Sequence, residues 1–195
     1  MSANEAALNA DGLTLLSPED EGTALLRRAK AGDREAFEEI VRQYEGQVFR
    51  VALRLLGSVE DAQDASQETL LRLHRHLGAI DELQSCGAWL YRVTVNIAND
   101  MLRRRRKIVP LAEMPCRADA EAAISLEERR NLVSRALLGL PEKERAAIVL
   151  RDIEGLSTGE VAAILNSSEA TVRSQISTGR VKLKKLVDEL MRSGK

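Results

Sequence analysis

The segment from Cys86 to Lys107 constrains the fold more than any other part of the chain. It reads CGAWLYRVTVNIANDMLRRRRK, and apolar residues recur in it every three or four positions, at Leu90, Val93, Ile97 and Met101. This spacing predicts an amphipathic α-helix over residues 86–107 with one apolar face. At ~1.5 Å per residue, the helix is about 30 Å long.

A polar stripe runs beside the apolar one, and the helix ends in five consecutive cations, Arg103 to Lys107. Its members are Trp89, Arg92, Asn96, Asn99, Arg103 and Arg106. Guanidinium and amide groups bind base edges and phosphates, and an indole can stack on an unpaired base. The stripe therefore fits a nucleic-acid interface. It also fits a surface helix whose Trp89 covers the core and whose basic end is solvated, and the helix alone does not decide between the two.

The composition favours an all-α chain of two small domains. The 195 residues are 44% hydrophobic but only 3% aromatic, with few glycines and prolines, which suits helical bundles better than a β-sandwich. Cys86 and Cys116 are isolated, so neither a disulfide framework nor a zinc site is expected. No apolar run reaches membrane-span length, and the amino terminus lacks the basic start of a signal peptide. These features predict a cytoplasmic protein without a membrane span of its own.

The net charge of −1 conceals a strong segregation of charge. Residues 1–23 hold five acids and no Lys or Arg, whereas residues 89–107 hold six cations and one acid. Residues 171–195 hold seven cations and two acids. Two separate basic helices indicate two contacts with a polyanion, and the acidic remainder indicates a partner that is not nucleic acid.

The first half of the chain divides into a tail and a helical domain. Residues 1–23 lack periodicity and are expected to form a mobile acidic tail, followed by a domain over 24–107. A short helix from Ala24 is predicted to end before Asp33, which caps a helix that runs to Leu56 and stops at Gly57. Ser58 opens the next helix, to about Leu77. After a loop over 78–85, Ser85 is placed to cap the helix described above.

The helix that follows Ser58 has an acidic exposed face. Asp61, Asp64, Gln67 or Glu68, and Arg72 fall on one side of it, which suits docking to a basic protein surface. Part of this acidity is ordinary, because acids near a helix start are favoured by the helix dipole. His74 and His76 lie two residues apart and point to different sides of the helix, which makes them a poor metal pair.

The second half is predicted to be a linker over 108–124, with Pro110 and Pro115, and a helical domain over 125–195. The domain begins with a Ser125-x-x-Glu128 capping pattern, and Pro141 is expected at the first position of its second helix. Ser157 caps a short helix to Leu165, Asn166–Ser168 forms a turn, and Ser168 caps a long helix to about Met191. A short helix, a tight turn and a longer basic helix form a helix-turn-helix, whose second helix fits a major groove.

Three segments together resemble bacterial RNA polymerase sigma factors of the extracytoplasmic-function (ECF, group 4) type, within the sigma-70 family. DAQDASQETLLRLHRHL (61–77) is similar to the family's region 2.2, and AWLYRVTVNIANDMLRRRRK (88–107) to regions 2.3 and 2.4. LPEKERAAIVLRDIEGLSTGEVAAILNSSEATVRSQI (140–176) is similar to region 4. The order and spacing agree from Ala24 to about Leu190.

The chain departs from the family pattern at three positions. Cys86 stands where an aromatic residue is usual, a few positions before Trp89. In the last helix, Gln175 and Thr178 replace residues that are usually basic. These replacements leave the fold prediction intact, but they bear on the strength of the upstream promoter contact.

The resemblance implies a sigma factor that binds core RNA polymerase through its β′ and β subunits, directs initiation at −35 and −10 promoter elements and assists melting. Binding to the clamp helices of β′ would fall to Asp61, Asp64, Gln67 and Glu68. Contact with −10 DNA would fall to Trp89, Arg92, Asn96, Asn99 and Arg103, with the loop 79–87 holding a flipped base. Contact with −35 DNA would fall to Ser168, Glu169, Thr171, Arg173, Ser174, Arg180 and Lys182.

The resemblance also implies an anti-sigma factor as partner, a linker that enters the polymerase channel, and no catalytic residue, metal or cofactor. Two other hypotheses remain at this point. A conventional helix-turn-helix regulator would use residues 24–107 as a sensing domain, which leaves the Trp-headed basic stripe unexplained. A metal-dependent nuclease would use His74, His76 and the carboxylates of the same region, but their helical spacing does not let them converge on one metal.

Overall fold

The computed structural model describes residues 18–81, 85–108 and 126–193. Within these ranges the chain is helical and carries no strand. The first domain contains α1 (Pro18–Lys30), α2 (Arg34–Leu56), α3 (Val59–His76), a 3₁₀ turn (Leu77–Ala79) and α4 (Cys86–Ile108). The second contains α5 (Leu126–Leu138), α6 (Glu142–Ile148), a π-helical turn (Val149–Ile153), α7 (Thr158–Ile164) and α8 (Glu169–Ser193). The fold is all-α with two helical domains, as the sequence predicts.

Helix α2 is the centre of the first domain, and α1, α3 and α4 all pack against it. Its ends follow from local chemistry: the Asp33 side chain accepts a hydrogen bond from the Ala36 N–H at 3.1 Å, and Gly57 ends it in the left-handed region at φ 74°. Ser58 caps α3 through the Asp61 N–H, and Ser85 caps α4 through the Ala88 N–H. These four predicted helix boundaries are confirmed.

Two boundary predictions differ from the structure. Helix α1 begins at Pro18 rather than Ala24, so the last residues of the expected acidic tail are helical. The helix dipole favours acidic residues in a first turn, so the acids of this segment are compatible with a helix. Its start was not predicted because no apolar stripe begins there. Pro141 lies one position before α6 rather than at its first residue. Residues 1–17, and the predicted linker beyond Ile108, lie outside the described ranges.

Helix α4 buries more of its surface than its predicted apolar stripe. Leu90 and Ile97 are buried as expected, whereas Val93 and Met101 are only half-buried. The deepest positions also include Thr94, Val95 and Ala98, because α4 contacts α2 and α3 and also α7 of the second domain. The Thr94 hydroxyl donates to the Leu90 carbonyl at 2.8 Å, which lets a polar residue occupy the core.

The second domain packs α8 against α6, α5 and α7. Val161, Ile164, Val172 and Ile176 lie in its core, as predicted for the helix-turn-helix. Gly179 is buried where α8 crosses α6, and a Cβ there would lie 2.7 Å from Ile148 Cδ1. A side chain at 179 would therefore push α8 away from α6.

The domains are not separate bodies, because one hydrophobic cluster continues from one to the other. It joins Leu55, Leu56 and Tyr91 of the first domain to Leu137 and Leu140 of the second. A smaller cluster lies wholly in the first domain and includes Leu26, Ile40, Leu73 and Leu90. None of the helices in the described ranges combines the length and hydropathy that a membrane crossing requires.

Candidate nucleic-acid and protein interfaces

The acidic residues of α3 lie beside the basic end of α4. Asp64 and Gln67 are exposed, whereas the Asp61 carboxylate is 3.0 Å from the Arg105 guanidinium. Glu68 accepts a hydrogen bond from Arg72 at 2.8 Å, one helical turn away. The surface expected to be acidic therefore carries matched charges of both signs. Arg105 was missed by sequence reasoning, since its contact with Asp61 joins two helices.

Between α3 and α4 this surface forms a groove of about 350 Å³. Charged residues of both helices surround it, and Ile97 and Met101 add apolar surface; the full lining is Asp64, Glu68, Arg72, Ile97, Asp100, Met101 and Arg104. A second groove of about 270 Å³ lies next to it and shares Met101 and Arg104. Apolar surface between charges of both signs suits a protein partner better than a nucleic acid.

The polar stripe of α4 is only partly free. Asn96 is exposed, and so is Arg103, which forms an ion pair with Asp100 one turn before it. Trp89 and Asn99 are half-buried, and Trp89 packs against the smaller hydrophobic cluster. Trp89 is therefore not wholly a core residue, and part of its indole is open to solvent. The side chain of Arg106 and residues 82–84 of the expected base-holding loop lie outside the described residues.

Arg92 differs from the rest of the stripe because it contacts the second domain. Its Nη2 donates to the carbonyl oxygen of Ala163, in α7, at 3.3 Å. Its Nε is buried and has no hydrogen-bond partner within the described part of the chain. The residue predicted to bind DNA is thus half-buried, and one long, exposed hydrogen bond joins its guanidinium to the second domain.

The first turns of α8 are held by side-chain hydrogen bonds and remain exposed to solvent. The Ser168 hydroxyl accepts a hydrogen bond from the Thr171 N–H at 3.1 Å and lies 2.8 Å from the Thr171 hydroxyl. Arg173 donates to Glu169 at 2.9 Å, one turn before it, and both side chains remain more than half exposed. Ser174 is exposed as well. The predicted base-reading positions therefore lie on an accessible helix start.

The two cations further along α8 are tied to acids of the same domain. Arg180 donates to both carboxylate oxygens of Asp152, with Nε at 2.8 Å from Oδ2, and Lys182 donates to Glu144 at 2.7 Å. The Asp152 hydrogen bond raises the pKa of Arg180. Residues two positions apart point to different sides of a helix, so these pairs hold α8 to the rest of the domain on both sides.

Between residues 174 and 181, the outward face of α8 carries no charge. Ser174, Thr178 and Val181 follow the helical repeat and are exposed, with Val181 at 71%. Gln175, by contrast, is half-buried, and its Oε1 is enclosed without a hydrogen-bond partner in the described ranges. Of the two replaced positions, Thr178 is exposed to solvent and Gln175 is turned at least partly inward.

Two family models match the chain in order. Sigma-70 region 2 matches residues 40–108, which include α3 and α4, and sigma-70 region 4 matches residues 130–183, which include most of α8. The α3–α4 groove and the α4 stripe thus fall within one matched region, and the helix-turn-helix falls within the other.

Relatives of similar length match across both domains. The chain is 36% identical over 168 residues to the ECF RNA polymerase sigma factor SigM of Mycobacterium tuberculosis, covering 85% of this chain and 84% of that protein. It is 30% identical over 184 residues to the ECF RNA polymerase sigma factor SigW of Bacillus subtilis, covering 85% and 96%.

Solved structures support the same fold. CnrH, solved in complex with the cytosolic domain of CnrY, superposes with a TM-score of 0.68 at 30% identity, covering 87% of this chain and 99% of that one. The sigma factor RpoE of Bartonella quintana, solved with the anti-sigma factor NepR, gives a TM-score of 0.65 at 22% identity, covering 78% and 96%.

Proposed function

The chain belongs to the ECF RNA polymerase sigma factors, and from that premise we propose how its surfaces divide the work. As a sigma factor it binds core RNA polymerase and promoter DNA and directs promoter-specific transcription. The α3–α4 groove binds the polymerase, the α4 stripe binds the −10 element, and the start of α8 reads the −35 element. The observation that supports this division is that exposed residues of α4 and of the start of α8 lie in the two matched regions.

The polymerase surface is assigned to Asp61, Asp64, Gln67 and Glu68, with apolar support from Ile97 and Met101 in the groove. Its mixed charge suggests that a partner helix with both basic and acidic residues exchanges ion pairs with it. Asp64 is the strongest electrostatic contact, since it is exposed and belongs to none of the ion pairs described above. Asp61 must first leave Arg105 or bind together with it.

The −10 surface is assigned to Trp89, Arg92, Asn96, Asn99 and Arg103. Opening DNA costs a few kcal/mol per unstacked step, and capture of an unpaired base on the stripe offsets part of that cost. The −35 surface is assigned to Ser168, Glu169, Thr171, Arg173 and Ser174, with Arg180 and Lys182 at its edges. An arginine such as Arg173 can bind guanine with two hydrogen bonds once it releases Glu169.

No residue in this scheme does covalent chemistry, and RNA synthesis belongs to the polymerase. The chain works in the cytoplasm, where bacterial transcription takes place. A separate anti-sigma protein holds it until a signal arrives, as the family resemblance implies. A conventional helix-turn-helix regulator is not favoured, because the first domain matches sigma-70 region 2.

The decisive experiment is capture of core RNA polymerase without DNA. We expect the wild-type chain to retain core enzyme, and Asp61→Lys with Asp64→Lys to weaken capture more than tenfold, because both changes place cations where acids contact the partner. Glu38→Lys with Glu45→Lys is the matched control, since it changes the same charge on exposed residues of α2. Unchanged capture by a folded Asp61 and Asp64 variant would refute the assignment of the groove.

A further inference from the structure

Two ion pairs connect helix α8 to parts of the second domain that lie outside the helix-turn-helix. Arg180 donates to both carboxylate oxygens of Asp152, in the π-helical turn, at 2.8 and 2.5 Å. Lys182 donates to Glu144, in α6, at 2.7 Å. Both acids precede α7 in the chain, so each pair holds the last helix of the motif to an element that is not part of the motif.

The geometry of these pairs differs from that of ordinary surface ion pairs. The Arg180 guanidinium binds Asp152 at two atoms, which fixes its direction as well as its distance. Only 26% of the Asp152 side chain and 15% of the Glu144 side chain are exposed. A mobile surface pair contributes little, whereas a pair with good geometry and a sheltered carboxylate restrains the helix that carries the cation.

The two cations lie on opposite flanks of α8. At about 100° per residue, Arg180 and Lys182 are separated by about 200° around the helix axis. The exposed face formed by Ser174, Thr178 and Val181 lies between them. A rotation of α8 about its own axis moves one cation towards its acid and the other away. The two pairs together therefore oppose rotation in both directions.

Between these flanks, α8 crosses α6 at a residue without a side chain. A Cβ on Gly179 would lie 2.7 Å from Ile148 Cδ1 and 3.3 Å from Glu144 Cβ. Packed helices interlock when side chains of one fit into grooves of the other, and at this crossing α8 presents backbone only. The close approach brings the cations within reach of the acids, and it leaves more of the restraint on rotation to the two ion pairs.

The rotation of α8 determines which atoms of its first turns meet DNA. Because a helix with its side chains has a radius of about 5–6 Å, a rotation of about 20° moves a side-chain tip by about 2 Å. A hydrogen bond to a base edge tolerates only a few tenths of an ångström around ~2.9 Å. Base reading by Arg173 and its neighbours is therefore sensitive to the rotation of the helix.

We propose that Asp152 and Glu144 are positioning residues for the −35 contact, because through Arg180 and Lys182 they fix the rotation of α8 and thereby its base preference. This inference rests on the proposed function, since it requires that the start of α8 reads base edges. It makes Arg180 and Lys182, at the edges of the −35 surface, braces of the helix rather than phosphate contacts.

The two roles of a cation on α8 predict different results. Loss of a phosphate contact weakens binding to all sequences alike and lowers the slope of log affinity against log salt by about one unit. Loss of a positioning contact weakens binding to the preferred sequence and leaves binding to other sequences unchanged. The ratio of the two affinities separates the roles, because it does not respond to a uniform change in charge.

The test uses the full chain and a pool of short DNA duplexes whose central positions are randomised. Wild type selects its preferred duplex, and the affinity for this duplex is compared with that for the unselected pool at several salt concentrations. Asp152→Asn with Arg180→Gln removes one pair without changing the net charge, and Glu144→Gln with Lys182→Gln removes the other. Arg34→Gln with Glu38→Gln, which removes an exposed pair of α2 in the same way, is the matched control.

We expect each charge-balanced variant of α8 to lower the ratio of affinities about tenfold, the loss expected from one base contact. Binding to the pool and its salt slope should stay as in wild type, and the control should match wild type throughout. The exchange Asp152→Arg with Arg180→Asp restores an ion pair and should restore most of the ratio. If the variant without the Arg180 pair does not fold, Arg180→Lys keeps the charge but loses the two-atom contact, and should lower the ratio by a smaller factor.

Three results would overturn the positioning role. One is an unchanged ratio in folded variants. Another is an equal loss for the preferred duplex and the pool with a shallower slope, which would make the cations phosphate contacts. The third is an exchange variant no better than the variant without the pair. A wild-type chain that selects no sequence would instead contradict the −35 assignment of the proposed function, on which this inference rests.

Discussion

Arg145 and Glu154 show how strongly single charged side chains constrain this fold. Moving an isolated charge into the protein interior costs several kcal/mol even after relaxation, so a buried arginine needs several acceptors. Arg145 has backbone carbonyl oxygens from both domains, and Glu154 has Arg54 and Tyr91. Because Leu55, Arg54 and Tyr91 belong to the first domain, these contacts across the boundary form only when the two domains pack together.

The titration of Tyr91 reports directly on this contact. Burial, and then the charge of the neighbouring Glu154, raise the pKa of Tyr91 to about 12. We expect Glu154→Gln to lower this pKa towards the ordinary value of about 10, because it removes the negative charge that opposes tyrosinate. Absorbance of tyrosinate during a pH titration measures it, and Tyr91→Phe identifies which signal belongs to Tyr91 rather than Tyr44.

The raised pKa of Tyr91 also determines how the stability of the fold changes with pH. A tyrosine whose pKa is raised on folding stabilises the fold fully below its unfolded pKa, and this contribution is lost as the pH rises through the folded value. The wild-type chain should therefore lose stability between about pH 10 and about pH 12 relative to Tyr91→Phe. An equal loss in both chains would contradict the assignment.

Over residues 174–181, helix α8 presents an uncharged outward face between two edges that carry ion pairs. Arg180 and Lys182 are held by Asp152 and Glu144, so fewer cations of α8 are free to displace counterions from DNA than its composition suggests. The −35 contact should therefore show a shallow salt dependence, because the slope follows the number of phosphates that are neutralised.

Replacing Thr178 by Arg tests this interpretation of α8. Thr178 is exposed on the outward face, so an arginine there should reach the DNA backbone and steepen the plot of log affinity against log salt by up to about one unit. Titration of the full chain with −35 duplex at several salt concentrations measures the slope. Ser134→Arg, on the exposed side of α5, is the control. Equal slopes would mean that residue 178 does not face the backbone.

A substitution in helix α4 tests the proposed role in opening promoter DNA. Asn96 is exposed in the middle of the stripe and has no described role in the core, so its loss should affect DNA rather than folding. We expect Asn96→Ala to lower open-complex formation on a duplex promoter about tenfold, consistent with the loss of 1–3 kcal/mol from one base contact. A pre-melted template should restore part of it. Asn131→Ala, also exposed, should leave both templates unaffected.

Taken as one body, the chain has its DNA-binding residues divided between accessible and covered positions. Asn96 and Arg173 are open to solvent, whereas Arg92 is held by α7. Full contact of Arg92 with DNA therefore requires that its hydrogen bond to the Ala163 carbonyl break.

The helices, their capped ends and the family could be predicted from the sequence, since each depends on local patterns. Apolar spacing predicted α2, α3, α4 and the helix-turn-helix, and a single side chain marked helix starts at Asp33, Ser58, Ser85, Ser157 and Ser168. The start of α1 escaped prediction because its first turn carries acids and no apolar repeat. Three resembling segments, in order, were enough to indicate an ECF sigma factor.

The environment of the site residues was decided by the tertiary structure. Three contacts join elements that are far apart in the chain, where no periodic pattern predicts them. They are Asp61 with Arg105, Arg180 with Asp152, and Arg92 with the Ala163 carbonyl. The sequence predicted two domains on a linker, and the structure packs them on one continuous cluster. A helix end can be encoded within one turn of chain, but a charge buried between domains finds its partners only when distant segments pack together.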